Sequence, residues 1–230
     1  MSGKSTVRQI ENTSTGPNDK PNKECIIADC GELTGEDYEK GGQKMPDSTG
    51  DPYEDYPDDQ KKGNEDLTGA EIVKIATHLK DMGTDAFKKQ DLQVGLDKYQ
   101  KALRYLHEYP EPLENDPPEL GAQLATLKIA LHSNSALLQI KLQDYADAEK
   151  SATKAIEVKD IKDDAKGKAL YRRALARKVL KNEDDAVKDL EAALKCVPQD
   201  AAIKNELNAV KKAAADRAKK EKAAYSKFFS

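Results

Sequence analysis

From Glu71 onward apolar residues recur at steps of three and four: Ile72, Ile75, Ala76, Leu79, Met82, Gly83, Ala86 and Phe87. That spacing puts them on one helical face and predicts an amphipathic helix. A second helix carries Gly95, Tyr99, Ala102, Leu103 and Leu106 on one side. The stretch from Tyr109-Pro110-Glu111-Pro112 to Pro117-Pro118 then interrupts the pattern, because proline cannot continue a helix interior. Four more helices are predicted near 119–141, 144–158, 164–180 and 183–196, with Gln143-Asp144 and Lys181-Asn182 as turns and Pro198 as the stop. A last helical segment covers 200–226.

The first 68 residues read differently. Thr6 to Ile10 alternates, Gly16 to Pro21 is turn chemistry, and Glu24 to Cys30 is a second short apolar run, so 1–33 is predicted to hold two strands. Residues 34–68 have hardly any apolar side chains, and Asp51 to Asp66 holds seven acids against two lysines. Such a stretch lacks the apolar area to offset its ordering entropy, which predicts a flexible, disordered acidic linker.

The six helices of 69–200 form pairs that repeat. Gly83, Ala136 and Ala174 are followed twelve residues later by Gly95, Ala148 and Ala186, and seven further on by Ala102, Ala155 and Ala193. Small residues at these offsets let the two helices of a pair cross closely. The pattern resembles the tetratricopeptide repeat, with units at about 76–109, 129–162 and 167–200, and Pro198 matches its terminal proline. The units are offset by 53 and 38 residues against a period of 34, so the first connection carries an insertion that absorbs the proline-rich break. Arg177 and a missing tryptophan depart from the repeat consensus. The resemblance implies an all-α fold, a right-handed α-solenoid of three helix pairs. Ile203, Leu207 and Val210 let the segment 201–230 begin as a capping helix.

Composition narrows the classes. Of 230 residues 35% are charged, 37% apolar and 5% aromatic, which supplies one helical core and not two. No window approaches a membrane span or a signal h-region, so a cytoplasmic protein with no membrane contact is expected. Cys25, Cys30 and Cys196 have no paired Cys/His spacing, so no disulfide framework, metal or cofactor is expected, and all three are read as buried or incidental thiols. A net charge of −4 argues against nucleic acid as a partner of the whole surface.

The first helix of each pair faces the inner surface of such an array, where ligands bind. The polar residues that the repeat register places there are Lys80 and Thr84, Asn134, and Lys168 and Arg172. Lys80/Thr84 and Lys168/Arg172 are spaced i, i+4, so each pair shares a helical face. Three cations and an amide with no acid at equivalent positions suit clustered carboxylates. The set resembles the dicarboxylate clamp of chaperone-binding tetratricopeptide domains, which hold a C-terminal Glu-Glu-Val-Asp. The resemblance implies that Lys80 and Asn134 take the terminal carboxylate, Lys168 the last Asp side chain and Arg172 the peptide upstream. Thr84 stands where the pattern has Asn.

Gly3 to Asn12, Pro21 to Lys23 and Ile26 to Leu33 resemble the closing segment of a cyclophilin domain. Together with the linker and the repeats, they make the whole chain resemble the forty-kilodalton cyclophilin co-chaperones. The isomerase residues of that family lie earlier in its barrel and have no counterpart here, so a truncated or partial form without catalytic residues is expected. The leading expectation is therefore a docking module, not an enzyme, for the C-terminal peptide of the ninety-kilodalton heat-shock chaperone, with the seventy-kilodalton one as a second partner. The alternatives are a catalytically incomplete cyclophilin-type prolyl isomerase and a repeat scaffold with another ligand. Lys211, Lys212, Arg217, Lys219, Lys220, Lys222 and Lys227 make the last helix basic, which suits a calmodulin-like contact, a chaperone-surface contact or a solvated surface.

Overall fold

The computed structural model describes residues 4–36, 38, 47, 49–61 and 65–228. The chain divides into two compact units, 1–68 and 69–230.

In the first unit, α1 is Lys4–Glu11, a single 3-10 turn spans Pro17–Asp19, and α2 is Pro57–Gln60. The two predicted strands are not found: Thr6 to Ile10 lies within α1, and Glu24 to Cys30 has no regular structure. Among the described residues the only β-type pairing is an isolated bridge between Thr15 and Pro21. Val7 and Ile10 are three apart and fit a helical face as well as an alternating strand. A strand without a partner leaves its N–H and C=O groups unpaired, whereas a helix pairs them internally. Nor do the apolar runs make a core, since Val7, Ile26 and Ile27 are 66%, 74% and 87% exposed.

Within the acidic stretch, residues 49–61 make local contacts. Asp59 meets Arg8 at 3.8 Å, the Arg8 guanidinium lies 5.3 Å from the Tyr56 ring centre, and the Glu54 amide donates to Gln60 Oε1 at 2.8 Å. The expected flexibility of 37, 39–46, 48 and 62–64 falls outside the described residues.

The second unit is a series of seven helices: α3 Gly69–Lys88, α4 Leu92–Glu108, α5 Leu120–Lys141, α6 Tyr145–Glu157, α7 Asp163–Val179, α8 Glu183–Cys196 and α9 Ala201–Phe228. Each packs on the next, and α5 also touches both α3 and α7, so the first helices of the three pairs stand side by side. Gly83 and Gly95 show why small residues occupy the crossings. A Cβ on Gly83 would lie 2.7 Å from the Tyr99 ring and 3.0 Å from the Gly95 carbonyl oxygen. The equivalent alanines 136, 148, 174 and 186 are 0–1% exposed. The register extends into the turns. Gln90, Gln143 and Lys181, again 53 and 38 residues apart, all take left-handed φ of 64–65°. Asp91 and Asp144 follow as N-caps, accepting from the amides of Val94 and Asp147.

The first connection, 109–119, is held as a strap. Tyr109 Oη donates to Asp116 Oδ2 at 2.5 Å, the Leu113 amide donates to the same oxygen at 2.7 Å, and Lys128 Nζ donates to the Pro110 carbonyl at 2.8 Å. At the other end, Ile203, Leu207 and Val210 of α9 are buried against Leu170, Leu190 and Ala193. Burying each such side chain stabilises by about 1.5–3 kcal/mol, which seals the last pair. Of the cysteines, Cys25 and Cys30 are exposed rather than buried, and Cys196 is half-buried. No helix among the described residues is long and apolar enough to cross a membrane, and no metal-binding cluster occurs among them.

Candidate functional site

Because α5 and α7 lie side by side, the residues one turn apart on their facing surfaces line a common groove of about 1050 Å³. Its polar lining includes Ser133 and Asn134 of α5 and Asp164, Lys168 and Arg172 of α7. Three of the five sequence-predicted positions are thus brought together.

Arg172 is partly withdrawn from solvent, and its Nη1 donates to Ser133 Oγ at 2.5 Å. That bond fixes the guanidinium across the groove between the second and third pairs. Burial holds its pKa below the ordinary arginine value, a shift opposed by the nearby Tyr99. Even lowered, an arginine stays charged at neutral pH. Lys168 is exposed and pairs with Asp164 at 2.7 Å one turn earlier, a weak surface pair that a ligand carboxylate can replace. Lys159, Asp160 and Lys162, in the connection between α6 and α7, line the same groove.

Lys80 and Thr84 lie on α3 and are not among the residues lining this groove. Lys80 pairs with the adjacent Asp81 at 3.1 Å. Thr84 Oγ1 donates back to the Lys80 carbonyl at 2.9 Å and lies 3.1 Å from Tyr99 Oη. With its proton on the carbonyl, the Thr84 oxygen accepts from Tyr99. Tyr99, 2% exposed, presents its hydroxyl to Thr84.

Sequence reasoning took Tyr99 as packing and passed over Ser133. The signal for both was a polar atom on an otherwise apolar face, which becomes informative only once the crossing partner is known. Behind the groove, a buried network fixes α7. Asp189 of α8 accepts from Arg173 Nε and Nη2 at 2.9 and 2.7 Å and from Arg177 Nη1 at 2.9 Å, while Arg177 Nε donates to Glu149 of α6 at 2.7 Å. Arg177, a departure from the repeat consensus, is thus one of the ties between the second and third pairs, beside Arg172 and Arg173.

Three helix pairs with close small-residue crossings, register-matched turns and a capping helix define a tetratricopeptide-repeat domain. No protein-family model matches the chain. The C-terminal tetratricopeptide-containing domain of an FK506-binding protein from Plasmodium falciparum superposes with a TM-score of 0.58 at 25% identity, covering 67% of this chain and 97% of that one. The myosin chaperone UNC-45 from C. elegans, in a structure with an Hsp90 peptide, matches with a TM-score of 0.50 at 30% identity, over 64% of this chain and 14% of that one. Along its whole length the chain is 34% identical to a peptidyl-prolyl cis-trans isomerase D of Mycosarcoma maydis, of which it spans 62%. Over its whole length the chain is therefore similar to the proteins named peptidyl-prolyl cis-trans isomerase D, and it spans about three fifths of their length.

Proposed function

We propose that the chain is a docking module that holds the acidic C-terminal peptide of the ninety-kilodalton heat-shock chaperone, ending in Glu-Glu-Val-Asp. The seventy-kilodalton chaperone, which carries the same ending, is the second partner. The observation that carries this reading is the meeting of Asn134, Lys168 and Arg172 in one groove, with Arg172 held in place by Ser133. Two cations and an amide donor there match two carboxylates, the terminal one and the last Asp side chain. Lys80, one helix away, completes the clamp when it exchanges Asp81 for the terminal carboxylate. Thr84 contributes through Tyr99 rather than by its own proton. The Hsp90 peptide named with the UNC-45 structure supports the ligand class.

Charge-assisted hydrogen bonds contribute roughly 1.5–3 kcal/mol each, so Lys168→Ala or Arg172→Ala should weaken binding of a Glu-Glu-Val-Asp peptide about tenfold or more. Titration calorimetry reads the loss, and circular dichroism checks that helix content is unchanged. Wild-type affinity in both variants would remove the basis for the clamp. The name of the relatives raises a second reading, prolyl isomerisation by this chain. An isomerisation assay separates the two, since acceleration by this chain would contradict a purely docking role.

A further inference from the structure

Away from the groove, basic side chains of three helices gather on another face of α5. Lys128 and His132 share that face at a spacing of i, i+4, and neither lines the groove. His107 in the last turn of α4 and Lys154 of α6 lie close enough to act on His132 electrostatically, as Lys128 does. The cluster is graded by depth: His132 is 8% exposed, Lys128 is half-buried, and His107 and Lys154 are exposed. Lys128 Nζ donates one proton to the Pro110 carbonyl at 2.8 Å and keeps two. Among the described residues the His132 ring has no hydrogen-bond partner, although a buried polar group ordinarily has one. Two acids come near, Glu108 beside His107 and Glu111 beside Lys128; both are exposed, and neither acts on His132. Burial first, then the charges of Lys154 and Lys128, holds both histidines below the ordinary imidazole value. A bound anion offsets that repulsion.

We propose that this cluster is a site for a tetrahedral dianion, inorganic phosphate or the phosphoryl group of a monoester, held between α4, α5 and α6. The proposal is independent of the clamp. At neutral pH Lys128 and Lys154 supply the positive charge, and the imidazoles of His132 and His107 each supply an N–H donor. A dianion favours the protonated imidazole, so binding takes up protons. Affinity therefore rises as pH falls, and by linkage the bound anion raises the pKa of both histidines.

The test is imidazole NMR on the full chain, whose three histidines are assigned with His107→Gln and His132→Gln. Sodium sulfate, which keeps both charges throughout the histidine range, is titrated against sodium chloride of equal ionic strength, so that screening cancels. Sulfate should shift His107 and His132 more than His78 of α3 and raise their pKa values. Inorganic phosphate should act likewise. O-phosphoserine separates the two sources: binding at least as tight as phosphate assigns the site to phosphoryl groups, and weaker binding assigns it to the free anion. Lys154→Gln, at an exposed position, should weaken sulfate about tenfold, and Glu111→Gln should tighten it. Circular dichroism confirms that both variants fold. His107 and His132 signals that move no further in sulfate than in chloride overturn the site, as does a folded Lys154→Gln chain that binds sulfate like the wild type.

Discussion

Asp189 is the carboxylate on which two arginines of α7 converge, and its removal measures how the groove is held. Its side chain is 6% exposed and those of Arg173 and Arg177 are 16% and 18% exposed, so the network sits largely out of water. Asp189→Ala deletes three hydrogen bonds of 2.7–2.9 Å. Arg173 keeps only a long bond to Thr153 at 3.3 Å, whereas Arg177 retains Glu149 at 2.7 Å. Breaking a buried pair by removing one partner costs about 3–5 kcal/mol, and the surviving Glu149 contact puts this case near 3. For a chain of this size each kcal/mol shifts the melting midpoint by about 2–4 °C, so a fall of about 6–12 °C is expected. Thermal unfolding followed by circular dichroism measures it. Asp189→Asn, which keeps the shape and part of the hydrogen bonding, should fall about half as far. Well below the new midpoint, peptide affinity should be nearly that of the wild type, because Lys168 and Arg172 face the other side of α7. A midpoint for Asp189→Ala within about 2 °C of wild type would refute the claim that this network locks α7 onto α8.

Other outcomes follow from single groups. Thr84→Val removes the oxygen 3.1 Å from the buried Tyr99 hydroxyl, so stability should drop by about 1–3 kcal/mol in urea unfolding, and peptide binding should weaken. Thr84→Asn supplies a longer donor on the inner face and should tighten binding by about 0.5–1.5 kcal/mol; identical calorimetric affinities for both variants would mean that position 84 does not act on the ligand. Burial, with Lys154, His107 and Lys128 nearby, pushes His132 down to about 4. Its folded value lies below the unfolded one, so the unfolded chain takes up the proton first as pH falls. Stability is fully present above about pH 6.5 and is lost on acidification towards pH 4, by about 2 kcal/mol at pH 5. His132→Gln should flatten that slope, and an unchanged slope in the variant would assign it to other groups.

The helices and their register were legible because packing demands a period. The crossings at Gly83 and Gly95 tolerate nothing larger, and the turns at Gln90, Gln143 and Lys181 repeat the same offsets. The amino-terminal strands were misread because Val7 and Ile10 fit two periods, and one chain segment cannot report that it lacks a partner. The placement of Asn134, Lys168 and Arg172 along one groove followed from the repeat register, whereas Lys80 and Thr84 lie outside that groove. Ser133, Tyr99 and the Arg173–Asp189–Arg177 network were not legible, since each acts across helices far apart in sequence. The strap at 109–119 looked like an interruption. Its structure comes from one carboxylate, Asp116, answering a tyrosine and an amide within seven residues, a local pattern that hydrophobic periodicity does not register.

The most direct test of the docking claim is a calorimetric isotherm of the chain with a pentapeptide ending in Glu-Val-Asp, set beside the same peptide amidated at its C-terminus. The amide keeps every side chain and deletes the one charge that Lys80 and Asn134 are proposed to hold. The acid should bind at least about tenfold more tightly, and its affinity should fall as salt rises, as expected for cations meeting carboxylates in a partly exposed groove. Equal affinity for acid and amide would contradict the clamp.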